Sequence, residues 1–193
     1  MKFKELFKKT EQRNTCSTVI VAAGNAQRMG ADKVMLELGC MPVLARTLLA
    51  FQNCDAIDEI IVVTRMEKVE EVASLCKKYG VTKACKVIRG GKTRMESALA
   101  GVSEVRSNAK LIAIHDGARP FVTDEVIRRT VDAAAAYMSA VPVIRSTDTL
   151  KAIDEDGLIT GSVDREHTVR VQTPQVFNAD LIKGALTKAV SDG

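Results

Sequence analysis

The chain has 193 residues, 46% hydrophobic and 27% charged, which fits one folded domain with a full core. Its net charge of +4 comes with no basic block or aromatic platform, so a nucleic-acid partner is not expected and anionic small molecules suit the balance. No apolar run is long enough to cross a bilayer, and residues 1–14 are basic without the apolar core of a secretion signal, so a cytoplasmic protein with no membrane partner is expected.

In chain order, residues 1–16 read as a lead segment, with Phe3, Leu6 and Phe7 on one face of a short helix, and residues 17–193 as the domain. The run 17–21 reads as a buried strand, and 59–64, 86–88 and 110–115 as further strands. Between them 43–51, 69–79 and 93–105 carry apolar residues at helical spacing. Thr123 followed by Asp124 and Glu125 opens another helix. This rhythm predicts an α/β fold, a doubly wound and mostly parallel sheet. From about 145 to 165 the rhythm breaks into two alternating runs around Asp154-Glu155-Asp156-Gly157, a hairpin signal; such an arm exposes edges that suit pairing with a second chain. A hairpin folded back on its own domain is the alternative. The five cysteines are scattered with no C-x-x-C pair, which argues against zinc and for buried reduced thiols; Cys85, in the apolar run 84–88, is expected in the core.

Three loops follow three strands and should converge on one crevice beyond the strands' carboxyl ends. The first runs Ala22-Ala23-Gly24-Asn25-Ala26-Gln27-Arg28-Met29-Gly30-Ala31-Asp32-Lys33. Its small residues admit a close ligand, and Arg28 and Lys33 supply cationic donors for phosphate. It is neither a Walker loop nor a dinucleotide fingerprint. The second, Arg89-Gly90-Gly91-Lys92-Thr93-Arg94-Met95-Glu96-Ser97, offers two glycines whose backbone can bond a flat base edge, with the Ser97 hydroxyl one turn into a helix. The third, His115-Asp116-Gly117-Ala118-Arg119-Pro120, puts a carboxylate where Mg²⁺ would be held beside phosphates, with Arg119 free to bind a second phosphate. His115 reads as a structural hydrogen-bonder rather than a base.

The motifs A-A-G-x(3)-R-M, G-G-x-x-R-x-x-S, H-D-G-A-R-P, D-T-x-K, V-D-R and Q-T-P-Q-x-F occur in this order from residue 17 onward. The set resembles the 2-C-methyl-D-erythritol 4-phosphate cytidylyltransferase family. Ribitol 5-phosphate cytidylyltransferases share most of it, and guanylyl- and sugar-nucleotide transferases mainly the first loop. The resemblance implies a Rossmann-like nucleotidyltransferase using CTP, a polyol phosphate and Mg²⁺. It implies that Ala22, Ala23, Gly24, Gly90, Gly91, Ser97 and Gly117 surround the nucleotide, and that Arg28 and Lys33 hold the triphosphate and are catalytic. Asp116 would serve metal and substrate, while Arg119, Thr149, Arg165 and Thr173 would bind the polyol phosphate. It further implies a homodimer paired through the hairpin arm, Thr149 and Arg165 reaching the neighbour's site. Lys92 stands where some relatives have an acid, so only its backbone is carried over. The family continues past the helix at 179–190 into a further strand, a terminal helix and another phosphate-binding lysine, whereas this sequence stops at Gly193. A truncated form is therefore expected, and with it the alternative of a non-catalytic chain that only dimerises.

Overall fold

The computed structural model describes residues 15–24 and 32–192; the expected lead helix and Arg28 lie outside them. Four parallel strands form most of the sheet: the buried β1 (Cys16–Ala22), β2 (Glu59–Thr64) and β4 (Leu111–Asp116), and the partly exposed β3 (Ala84–Arg89). They pair in parallel in the order β3-β2-β1-β4. Between and after them lie α1 (Val43–Gln52), a 3₁₀ turn (Met66–Lys68), α2 (Val69–Lys78), α3 (Arg94–Ser103) and α4 (Asp124–Tyr137). β5 (Ser139–Ala140) and β10 (Gln175–Asn178) complete the sheet, with β10 antiparallel to both β4 and β5. The chain ends in α5 (Ala179–Ser191).

Alternation along the strands feeds two cores. Ile20, Ile60, Val62 and Ala113 meet Leu44, Leu48, Val72 and Ile127, placing α1, α2 and α4 on one face. Val19, Ile61, Val63 and Ile112 meet Ala98, Val102 and Ile182, placing α3 and α5 on the other. The doubly wound reading therefore holds. The helix starts are where their caps put them: Thr93 and Glu96 form a reciprocal capping box, and the Thr123 hydroxyl accepts from Val126 N–H. α3 lies tight on the sheet because Gly101 has no side chain; a Cβ there would sit 2.3 Å from Val19 Cγ1.

The hairpin is present as β7 (Leu150–Ile153) and β8 (Ile159–Val163), antiparallel around a turn in which Gly157 takes φ 83°. The Asp154 carboxylate accepts from the N–H groups of Asp156 and Leu158 and fixes that turn. The hairpin is carried on a second ribbon, β6 (Val143–Arg145) against β9 (Val169–Val171), so the arm exceeds the 145–165 expected. All of β6, β8 and β9 is exposed, which rules out the folded-back alternative within this chain.

The expectation of buried thiols needs correction. Cys16, Cys54 and Cys76 are buried, but Cys40 and Cys85 are exposed. β3 is the sheet's edge, with Cys85 and Lys86 at the surface, so an apolar run alone does not make Cys85 core.

Candidate active site

Beyond the carboxyl ends of β1 to β4 opens a cleft of about 810 Å³. It is lined by Ala23 and Gly24 after β1, by Arg65, Met66 and Glu67 after β2, by Arg89 to Arg94 and Ser97 around the α3 N-terminus, and by Asp116 at the end of β4. Four of these side chains are cationic (Arg65, Arg89, Lys92, Arg94) and two acidic (Glu67, Asp116), a balance suited to a polyanionic ligand. The described parts of the three expected loops thus do converge. The wall at 65–67 was missed from sequence, although it follows the strand at 59–64 and the same strand-end rule would have found it.

The glycine loop is built for close approach. A Cβ on Gly90 would lie 2.6 Å from Ala23 Cβ and 2.7 Å from Ser97 Oγ, so only glycine lets the turn pack directly on the end of β1 and on α3. The amides of this loop, however, are already engaged. Gly90 N–H donates to Thr64 O at 2.8 Å, Gly91 N–H to Ser97 Oγ at 3.1 Å, and Thr93 N–H to Glu96 Oε2 at 3.1 Å. Lys92 N–H also goes to Glu96 Oε2. The Ser97 hydroxyl donates to Thr93 O at 2.9 Å and is buried. Ser97 and Glu96 shape the loop from within, and these four amides are already paired inside the protein.

Asp116 is held by two arginines. Arg94, the first residue of α3, places Nη2 at 2.9 Å and Nε at 3.1 Å from Oδ1, and Arg119 Nε lies 3.0 Å from Oδ2. Arg119 also donates through Nη1 to Gln172 Oε1. A role for Arg94 was not read from the sequence; its place in G-G-x-x-R-x-x-S, one residue past a cap, was the available signal. Arg119 therefore sits beside the cleft through Asp116 rather than lining it.

Behind Asp116, His115 is fully buried, its ring 4.8 Å from that of Phe51. Its Nε2 lies 3.2 Å from Arg119 O, an atom that can only accept, so Nε2 carries the hydrogen. Nδ1 is then the acceptor of the Thr173 hydroxyl at 3.0 Å, and Asp116 N–H reaches Thr173 Oγ1 at 3.5 Å. Burial keeps the ring neutral and pulls its pKa down to about 4, against a smaller opposing effect of the bond to Arg119 O. His115 is the structural hydrogen-bonder the sequence suggested, and it ties the 115–119 loop to Thr173.

The remaining expected residues fall elsewhere. Ala22 is buried beneath the cleft, packed near Gly117, whose N–H donates to Val21 O at 2.8 Å. Lys33 is exposed on the turn that follows the first loop. Thr149 and Arg165 are exposed on the arm, away from this chain's own cleft lining.

A family model described as IspD, 2-C-methyl-D-erythritol 4-phosphate cytidylyltransferase, matches residues 16–193. The enzyme of that name from Caldanaerobacter subterraneus subsp. tengcongensis is 41% identical over 180 residues, 92% of this chain and 79% of the relative. That from Halalkalibacterium halodurans is 39% identical over 178 residues, 91% of this chain and 77% of the relative. Among solved structures, 4-diphosphocytidyl-2C-methyl-D-erythritol synthase from Anaerococcus prevotii superposes with a TM-score of 0.80 at 30% identity, covering 92% of this chain and 76% of the other. The Thermus thermophilus cytidylyltransferase superposes with a TM-score of 0.71 at 30% identity, covering 93% and 78%. The strand-end cleft, the motif order and these likenesses agree: the chain belongs to the 2-C-methyl-D-erythritol 4-phosphate cytidylyltransferase family of nucleotidyltransferases.

Proposed function

We propose that this chain joins CTP to 2-C-methyl-D-erythritol 4-phosphate, in isoprenoid biosynthesis, and that its cleft holds the nucleotide. The observation that carries this reading is a cleft walled by Ala23, Gly24 and the Gly90–Gly91 turn and rimmed by cationic side chains, at the carboxyl end of a parallel sheet. A substrate phosphate oxygen attacks the α-phosphorus in line. The new P–O bond forms as the bond to the β-phosphate breaks, and pyrophosphate leaves with that electron pair. The nucleophile is already ionised at neutral pH, so the protein's work is alignment and charge neutralisation. Arg28 and Lys33 are assigned to the triphosphate; loss of one such donor costs about 3 kcal/mol of transition-state stabilisation. Carbonyl oxygens of the Gly90–Gly91 turn suit the exocyclic amine of cytosine and would face the carbonyl of uracil unfavourably.

Asp116 has capacity for one further bond. A carboxylate offers about four acceptor positions, and Arg94 and Arg119 use three. That fits an ion taking one carboxylate plus substrate phosphates, so Asp116 is the residue proposed to hold Mg²⁺. The ion, when bound, would neutralise phosphate charge.

A homodimer paired through the arm is proposed as well. Its support is the run of exposed apolar residues on the arm, including Val143, Ile153, Leu158, Ile159, Val163 and Val171. In such a pair Thr149 and Arg165 would serve the partner's polyol phosphate. No described helix is long and apolar enough to cross a membrane, and a cytoplasmic site of action is proposed. The deciding experiment is pyrophosphate release from CTP with methylerythritol phosphate and, separately, ribitol 5-phosphate. Turnover with the second alone would overturn the substrate assignment; the relatives' names favour the first.

A further inference from the structure

Arg65 leaves the end of β2 with its backbone fixed as the N-cap of the 3₁₀ turn, where Lys68 N–H donates to its carbonyl at 3.0 Å. Its side chain lines the cleft yet does not point freely into it. Nη2 is paired with the Asp32 carboxylate, and Nε lies 3.4 Å from Glu67 Oε1. Both members of the Arg65–Asp32 pair are mostly shielded, with side chains 23% and 22% exposed, unlike the surface pairs on α4. Asp32 is also the start of a turn, its carbonyl accepting from Met35 N–H at 3.0 Å and Leu36 N–H at 3.1 Å. That turn is in turn tied to α1, through Leu44 N–H to Val34 O at 2.8 Å and Val43 N–H to Leu36 O at 2.9 Å. The stem bearing Lys33 is thus fastened on one side to α1 and on the other, through the Asp32 carboxylate, to Arg65 at the end of the second strand.

We infer that Arg65 is a positioning residue: by gripping Asp32 it fixes the turn that carries the adjacent Lys33, the cation assigned to the triphosphate. The inference rests on the proposed role of Lys33. Arg65 acts through its neighbour and does not itself contact the nucleotide, because its guanidinium is occupied by two carboxylates. Two contrary roles make opposite forecasts. As a direct phosphate ligand, Arg65 would be released by Asp32→Asn and bind CTP more tightly. As an ordinary ion pair, it would affect stability slightly and binding not at all.

The test is CTP binding by isothermal titration calorimetry on the full chain, with thermal unfolding run beside it. Arg65→Gln and Asp32→Asn should each raise the Kd for CTP about tenfold, the loss expected when a binding cation is left loosely held. The double variant should be no worse than either single one, since both remove the same contact. In a Lys33→Ala background, Arg65→Gln should add nothing further. Tighter binding by Asp32→Asn, additive losses, or a lowered melting temperature at unchanged Kd would overturn the inference. Unchanged CTP binding by Lys33→Ala itself would instead overturn the functional reading on which it rests.

Discussion

Acidification provides a sharp test of the buried histidine. His115 has no exposed surface, donates from Nε2 to a carbonyl and accepts at Nδ1, so protonation would strand a charge and turn an acceptor into a donor facing the Thr173 oxygen. Its pKa falls from 6.5 to about 4, which corresponds to about 3 kcal/mol of preference for the neutral ring. Between those two values the unfolded chain takes up a proton that the folded chain refuses. This contribution to stability is therefore complete above pH 6.5, declines as pH falls, and is gone below about 4. Of total stabilities near 5–15 kcal/mol, a loss of about 3 is large. Asp124 and Asp164, held low by Arg128 and His167, add their own losses only below the ordinary aspartate range, outside most of this window. The assay is urea unfolding at half-unit pH steps, with His115→Gln as the reference that cannot titrate, supported by NMR titration of the two imidazoles. An imidazole resonance of His115 titrating near 6.5 in the folded protein, or parallel pH–stability curves for wild type and variant, would refute the reasoning.

Gly90→Ala should cripple CTP binding while the protein remains folded, because the new methyl group meets Ala23 and Ser97 at under 3 Å and must push the cleft walls apart; calorimetry with CTP reads it directly. Of the five thiols, Cys40 and Cys85 should react quickly with a disulfide reagent at pH 8, whereas Cys16, pushed by burial to about 12, and Cys54 and Cys76, pushed to about 11, should react only on unfolding; timed mass spectrometry counts them. Thr18→Val should stabilise the chain by about 1 kcal/mol, since Thr18 Oγ1 is buried without a partner among the described residues, and a denaturant midpoint will show the shift. If the arm pairs two chains, mixing Arg165→Ala with Lys33→Ala protein should restore turnover at one of the two mixed sites; no rescue despite verified subunit exchange would confine Arg165 to its own chain or exclude it.

Much of this protein is written locally. The run Glu59–Thr64 is β-branched after its first residue, and it forms β2 at those bounds. Thr93 with Glu96, and Thr123 before two acids, start helices because caps act within one turn. The glycine pair and the small residues after β1 mark where a ligand can approach, because small side chains, and in glycine's case none, permit it. What the sequence could not determine is which element lies beside which. Cys85 was read as core because its run is apolar, but β3 is the edge strand of the sheet among the described residues. The antiparallel β10 between β4 and β5, and the β6–β9 ribbon under the hairpin, join segments about 25 to 65 residues apart, distances over which periodicity carries no pairing signal. The same holds inside the cleft: the pairing of Arg94 with Asp116, of Arg65 with Asp32, and of Glu96 with the amides of its own loop depends on how strand ends are brought together. Residue types named the chemistry available, and tertiary packing decided which polar groups satisfy one another and which are left for a ligand.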